Sequence, residues 1–326
     1  MATSDDFSLL DFTDPMTGAS LSRVGDAYVG SAGERYPVIN GVPRFVSPEN
    51  YAAAFGLEWK IHRKTQLDSH TGTTISATRL ERCLGQPISS LRGKRVLEAG
   101  CGAGRFTELL VDAGAFVHSI DLSVAVEANH ENIGNRPNYR VAQADLRHPP
   151  FPPGSFDVVI CLGVLQHTPS PEESVEALWK MVRSGGRLVI DHYTWSLSHV
   201  TKLAPIYRLG LFRMSPERAK KYTDALTDLF FPMHWKVRKV RPAQMLLSRV
   251  SPCLVYFNAF PQLTYEQHLE FTRLDTFDHL TDYYKHLRTR GQIERTLRGL
   301  GADDIHVTYG GNGVEARCQK SQSRRA

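Results

Sequence analysis

Cysteine is scarce in this chain. Only five occur in 326 residues, at Cys83, Cys101, Cys161, Cys253 and Cys318. Their number is odd and no two form a C-x-x-C pair. That argues against a disulfide frame and a thiolate metal site, and for a reduced, cytoplasmic setting. No apolar run approaches the roughly 20 residues that a membrane-spanning helix needs. The acidic start (Asp5, Asp6) lacks the basic-then-apolar pattern of a secretory leader. There is no internal repeat and no long low-complexity tract. The charge surplus is small, +5 overall, and it is local. Residues 201–250 hold 11 Lys or Arg against 3 Asp or Glu, a surplus of +8 that leaves the rest of the chain at −3. A chain that is basic in one segment lacks the general signature of a nucleic-acid-binding protein. Hydrophobic content of 41% with 22% charged residues is that of an ordinary globular protein. The length suffices for one large domain or two modest ones.

What is present centres on Arg95-Val96-Leu97-Glu98-Ala99-Gly100-Cys101-Gly102-Ala103-Gly104-Arg105. A β-prone run ends in an acid and three glycines at alternate positions, and Phe106 to Ala113 then reads as a helix. A strand turning through glycines into a helix lets backbone approach a nucleotide closely. The spacing is E-x-G-x-G-x-G. Arg105 stands where the third glycine of a dinucleotide fingerprint would fall, and no lysine is placed for a P-loop. A second strand, Phe116 to Asp121, ends in an acid about twenty residues past the turn, placed to take two ribose hydroxyls. Tyr139 to Ala144 is a third strand, followed by Asp145-Leu146. Phe156 to Gly163 is a fourth, closed by Val164-Leu165-Gln166-His167-Thr168-Pro169. A helix from Pro171 to Val182 and the turn Ser184-Gly185-Gly186-Arg187 lead to a fifth strand, Leu188 to Tyr193.

This ordered series resembles motifs I to V of the class I S-adenosylmethionine (SAM) methyltransferases. The resemblance implies a Rossmann-like α/β fold, a doubly wound seven-stranded sheet with SAM as cofactor. It implies cofactor contacts from Glu98, Gly100, Gly102, Gly104, Asp121, Leu122, Asp145, Leu146 and Leu162. Asp145 and the next backbone amide would meet the adenine. Ile293 to Leu300, stopped by Gly301, reads as the helix after strand five. Asp304 to Tyr309 and Gly313 to Lys320 resemble the antiparallel hairpin that closes such a sheet.

The expected organisation has four parts. Residues 1–47 form a small β-rich module. Tyr36-Pro37-Val38-Ile39-Asn40-Gly41-Val42-Pro43 resembles the tail of a zinc-ribbon domain, but Asp14, Thr17, Val29 and Ala32 fall at the four ligand positions, so thiolate zinc is excluded. Residues 48–92 form a helical segment with Tyr51, Phe55 and Trp59 on one face, read either as a lid over the cofactor or as a core helix. Residues 93–193 and 290–326 form the SAM-binding core. Residues 194–289 form a helical insert, read as a builder of the acceptor pocket. Its basic amphipathic stretches also suit peripheral contact with an anionic membrane. Leu274-Asp275-Thr276-Phe277-Asp278-His279 resembles a phrase of bacterial methyltransferases and is expected near the active-site mouth. The polar phrase Arg63 to Ser69 is a candidate for the methionine end of SAM.

Methyl transfer from a sulfonium needs alignment first, and a base if the acceptor is a hydroxyl. His167 after strand four, with Asp191 and His192 at the end of strand five, are the candidate catalytic residues. The resemblance pairs His167 as base with Asp191 as its orienting partner. No metal site is expected, because no clustered carboxylates stand out. The expected function is methyl transfer to a small-molecule acceptor, probed against two alternatives: a tRNA or protein acceptor, and a non-catalytic SAM-binding protein. Oligomeric state is not legible.

Overall fold

The computed structural model describes residues 8–47, 50–52, 56, 58, 59, 61–196 and 201–322. Its centre is a seven-stranded sheet. Strand β5 (Arg95–Ala99) lies between β6 (Phe116–Asp121) and β8 (Phe156–Cys161). Beyond β6 lies β7 (Tyr139–Gln143), and beyond β8 lies β9 (Val182–His192). These five strands are parallel. The hairpin β10 (Ala302–Gly310) and β11 (Gly313–Lys320) completes the sheet, with β11 antiparallel to β9. The resulting order, β10-β11-β9-β8-β5-β6-β7, is doubly wound. Val96, Leu97, Val159, Ile160, Leu188 and Val189 are all buried. Strands covered by helices on both faces are apolar throughout rather than alternating, which is why they read so clearly.

The helices on the sheet are α2 (Ile75–Leu84), α3 (Thr107–Asp112), α4 (Ala125–Ile133), α5 (Pro171–Met181) and α10 (Arg290–Gly299); a short α1 (Asp68–Thr71) precedes α2. One boundary differs from expectation. Strand β9 begins at Val182, which pairs with Phe156, and Arg187 already pairs with Val158. The Ser184-Gly185-Gly186 turn is therefore a bulge inside the strand. A Cβ at Gly186 would lie 2.9 Å from the Asp157 carbonyl, so the bulge accepts no side chain there.

The N-terminal module is a four-stranded antiparallel sheet: β1 (Ser22–Val24), β2 (Ala27–Val29), β3 (Arg35–Ile39) and β4 (Val42–Pro43). At the first would-be metal position, Asp14 accepts hydrogen bonds from the Met16 and Thr17 amides, the Thr17 hydroxyl and, at 2.7 Å, the Tyr36 hydroxyl. Those donors hold its carboxyl below the usual range, Tyr36 contributing most. Phe12, Tyr28 and Phe45 cluster behind it. The module docks on the β7 edge: Arg44 bridges to Gln143, and the Phe45 amide donates to the Gln143 carbonyl at 2.8 Å. Covering that edge removes a pairing liability. The Leu10 amide also donates to His118 Nε2 at 2.8 Å. His118 is wholly buried, and burial pushes its pKa down to about 3.

The insert folds as α6 (Ala204–Leu211), α7 (Pro216–Val237), α8 (Arg241–Val250) and α9 (Tyr265–Thr281). Helix α9 opens with a reciprocal Thr264–Gln267 capping box. It packs on α7 through Phe231 and Tyr265. Helix α8 buries no residue, and its Met245 and Leu246 are 62% and 72% exposed. Ile206 and Leu209 of α6 are exposed as well, and the Leu203 amide joins the two helices by donating to the Arg249 carbonyl. Among the described residues no helix is long and apolar enough to cross a membrane.

Candidate functional site

A cavity of about 550 Å³ opens above the C-terminal ends of β5, β6 and β8, where ligands of an open α/β sheet bind. Its floor is the glycine turn. Gly100 and Gly102 have φ of +81° and +49°, and the Gly100 amide is pinned to the Ile120 carbonyl at 2.7 Å. The Gly102 amide donates to Asp121 Oδ2 at 2.9 Å. Asp121 Oδ1 accepts from the Ser123 amide and hydroxyl. A Cβ on Gly102 would come within 3.2 Å of the Trp59 ring, which covers the turn. Tyr51 also lines the cavity; Phe55 lies outside the described residues. Asp145 is held by Arg147, whose guanidinium contacts both its oxygens.

Seven of the nine expected cofactor residues line this cavity: Gly100, Gly102, Asp121, Leu122, Asp145, Leu146 and Leu162. Glu98 and Gly104 are not among the lining residues. Glu98 lies behind the turn, accepting from the Thr107 hydroxyl at 2.6 Å and the Ser119 hydroxyl at 2.9 Å. It ties β5 to α3 and β6. Burial raises its pKa to about 7 against those two donors. Gly104 packs near Asn129 and Ile133. Its neighbour Arg105 was not expected at the site. Its guanidinium lies on the cavity wall, donating to Ser76 Oγ at 2.9 Å and to Gln66 Oε1 at 3.1 Å. Burial lowers its pKa to about 10, so it stays a cation. The signal in the sequence was its place directly after the last glycine.

These groups fit SAM. Asp121 offers carboxylate lone pairs to a diol, and Leu122, Leu146 and Leu162 offer an apolar bed beside Asp145. Arg105 with Gln66 offers one cation to a carboxylate. Residues 97–190 match the family described as Methyltransferase domain. This part of the chain is a methyltransferase domain. A ubiquinone biosynthesis O-methyltransferase of Cupriavidus pinatubonensis is 36% identical over 144 residues, covering 43% of this chain and 57% of the relative. One from Azoarcus sp. is 39% identical over 100 residues, 29% of this chain and 42% of the relative. The chain thus spans about half the length of these curated relatives. Among solved structures, a magnesium protoporphyrin IX methyltransferase from Synechocystis aligns over 84% of this chain and 97% of its own, with 16% identity and a TM-score of 0.45.

Of the three candidate catalytic residues, only His167 lines the cavity. It sits on a single turn, Leu165–His167, after β8. The expected His167–Asp191 pair does not form. Asp191 Oδ1 accepts from the Gly163 amide at 2.6 Å, and Oδ2 accepts from Arg79 at 2.5 Å and Asn312 at 3.3 Å. It anchors the β8 turn and α2 instead. His192 follows it on the strand and so projects from the opposite face. Its Nδ1 lies 2.9 Å from the Tyr193 carbonyl, and burial lowers its pKa to about 4. The carboxylate beside His167 is Asp282, just past α9: His167 Nδ1 lies 3.4 Å from its Oδ2 and 3.2 Å from the Tyr284 carbonyl. Burial disfavours the imidazolium, but Asp278 and Asp282 outweigh that and raise the pKa. With two acceptors at Nδ1, the neutral ring carries its proton there.

Clustered carboxylates, invisible in the sequence, do assemble here. Ligand atoms of His167, Asp278 and Asp282 lie within 4.8 Å of one another. Arg208 and Lys285 already pair with Asp282, so its charge is neutralised by side chains. Leu274, Asp275 and Asp278 of the Leu274–His279 phrase reach the cavity, together with Tyr193, Tyr256 and Glu58. His279 is absent from the lining; Lys285 donates to it at 2.9 Å.

Proposed function

We propose that this chain catalyses methyl transfer from SAM to a hydroxyl of a small-molecule acceptor. The observation that carries the reading is the continuity of the cavity. The glycine turn, Asp121 and Asp145 at one end share a single space with His167 and the insert residues Tyr256, Phe271 and Leu274 at the other. Bound SAM supplies an electrophilic methyl group on a sulfonium leaving group. The chain's work is to align the acceptor and take its proton. Phe260, Phe271, Ile75 and Leu254 form an apolar wall that positions the acceptor and excludes water. His167 is the base, accepting the hydroxyl proton at Nε2. Asp282, fixed by Arg208 and Lys285, holds the imidazole and stabilises its cation. Tyr193 meets the ring edge-on at 5.4 Å and limits its rotation. That the relatives are O-methyltransferases by name supports oxygen as the acceptor atom.

The test is calorimetric titration with SAM and S-adenosylhomocysteine, followed by an acceptor screen with radiolabelled methyl groups. Micromolar binding of both, and transfer to a phenol or alcohol that His167→Asn abolishes, is the expected outcome. A folded protein that binds neither refutes the reading.

The insert contributes a second contact. Residues 229–265 contain no Asp or Glu, and the exposed apolar side chains of α6 and α8 stand among Lys202, Arg241 and Arg249. Apolar residues mixed with cations suit the interface of an anionic membrane better than a bare phosphate backbone. A self-associating copy would bring cations against cations. On this reading the chain is a peripheral, cytoplasmic enzyme.

A further inference from the structure

Apart from Asp121 and Asp145 at the cofactor end, the carboxylates around the cavity fall into two sets. Those that hold the fold together are matched by cations: Asp191 by Arg79, Glu315 by Arg82, Asp224 by Lys220, and Asp282 by Arg208 and Lys285. Glu58, Asp275 and Asp278 are different. All three line the cavity, and among the described residues no Lys or Arg forms an ion pair with any of them. Asp275 and Asp278 stand one turn apart on α9 and share a face. The Tyr256 hydroxyl stands beside Asp275 and favours its ionised form. Glu58 reaches the same space from the segment before α1. It is only 2% exposed, and no described side chain or amide engages its carboxylate.

A buried ionised carboxylate without a partner is costly, and neighbouring like charges add to the cost. Burial first, then Asp278 and Asp275, hold Glu58 well above the usual carboxylate range. Burial likewise pushes Asp275 up to about 6 and raises Asp278. The nearby cations are engaged elsewhere: Lys220 on Asp224, Arg79 on Asp191, Arg105 on Gln66 and Ser76. The wall also carries Trp59, Tyr193 and Tyr256, whose ring faces attract a cation. The cluster belongs to the acceptor's side of the cavity, because Asp278 lies beside His167.

We propose that Glu58, Asp275 and Asp278 form a subsite for a protonated amine carried by the acceptor. The substrate class is then an amine-bearing hydroxy compound, its cation held by the three carboxylates while its hydroxyl faces His167. This rests on the methyltransferase reading of the site. An amine answers at once all three acids that no Lys or Arg engages, whereas a neutral polyol would leave their mutual repulsion in place.

The test uses the full chain saturated with S-adenosylhomocysteine and titrated calorimetrically with matched probes: tyramine against 4-ethylphenol, and glucosamine against glucose. In at least one pair the amine binds about tenfold tighter or more, as a charge-assisted contact predicts. Glu58→Gln, and separately Asp275→Asn with Asp278→Asn, remove that preference and leave S-adenosylhomocysteine affinity within about twofold. Glu58→Gln deletes a buried charge and the double variant two half-buried ones that no Lys or Arg engages, so both fold like the wild type. Amines that bind no tighter than their neutral twins, including a panel in which nothing binds, overturn the subsite. So does a loss of S-adenosylhomocysteine affinity in Glu58→Gln equal to the loss for the amine, which assigns the acids to the cofactor's own ammonium. If the wild type fails to bind S-adenosylhomocysteine at all, the methyltransferase reading itself falls.

Discussion

Gly100→Ala tests whether the glycine turn is built around its neighbour just past β8. A Cβ at Gly100 would fall on the Val164 side chain, 2.8 Å from Cγ1 and 2.9 Å from Cβ. The residue also holds φ at +81°, where a side chain costs roughly 1–2 kcal/mol. Overpacking against a stiff β-branched partner adds about 1–3 kcal/mol. The turn cannot swing away, because the Gly100 and Cys101 amides are both bonded to the Ile120 carbonyl. The single variant should therefore lose about 2–5 kcal/mol, a large part of a typical domain's stability. Val164→Ala removes the methyl groups in the way, so in the double variant only the backbone cost should remain. The cycle predicts a favourable coupling of about 1–3 kcal/mol. Urea denaturation of the four proteins measures it, and titration with S-adenosylhomocysteine follows the turn's function in parallel. Losses that simply add, within about 0.5 kcal/mol, would refute the steric argument. The strain would then lie in the backbone alone.

Further outcomes follow from other parts of the molecule. Asp121→Ala should abolish SAM binding in a protein that stays folded; unchanged affinity would remove Asp121 from the site. His167→Asn should cost about 10²- to 10⁴-fold in turnover with cofactor affinity retained, and equal turnover would remove the base. His118 is neutral when folded, with a pKa near 3 against an ordinary 6.5. As pH falls below 6.5 the unfolded chain takes up this proton first, so the group's contribution declines by up to about 1.4 kcal/mol per pH unit until pH 3. Glu98, raised to about 7, acts in the opposite sense between pH 7 and 4.5. The readout is thus the difference between the stability curves of the wild type and His118→Gln; parallel curves would contradict it. Met245→Glu with Leu246→Glu should abolish sedimentation with vesicles rich in phosphatidylglycerol. No binding of the wild type to such vesicles would dismiss the membrane face.

The chemistry written in contiguous residues was legible. Gly100 to Arg105, the acid closing β6 and the apolar strands of the core are local patterns, and apart from the early start of β9 these elements formed within a few residues of their expected bounds. What failed were pairings across distance. Asp191 was read as the partner of His167 on the strength of the family resemblance, at the ends of neighbouring strands. Yet the side chain on that face meets Arg79 of α2, 112 residues earlier, and His167 meets Asp282, which follows the insert. The bulge at Ser184–Gly186 was read as a turn because glycines mark both.

By itself the sequence determined the strands and the glycine turn, because those depend on hydrophobic period and on backbone that only glycine tolerates. The tertiary structure alone decided which acids are paired and which face the cavity. Glu58, Asp275 and Asp278 look like other acids in the sequence. Charge neutralisation and burial depend on what the fold brings within a few ångströms, and chain spacing does not encode that.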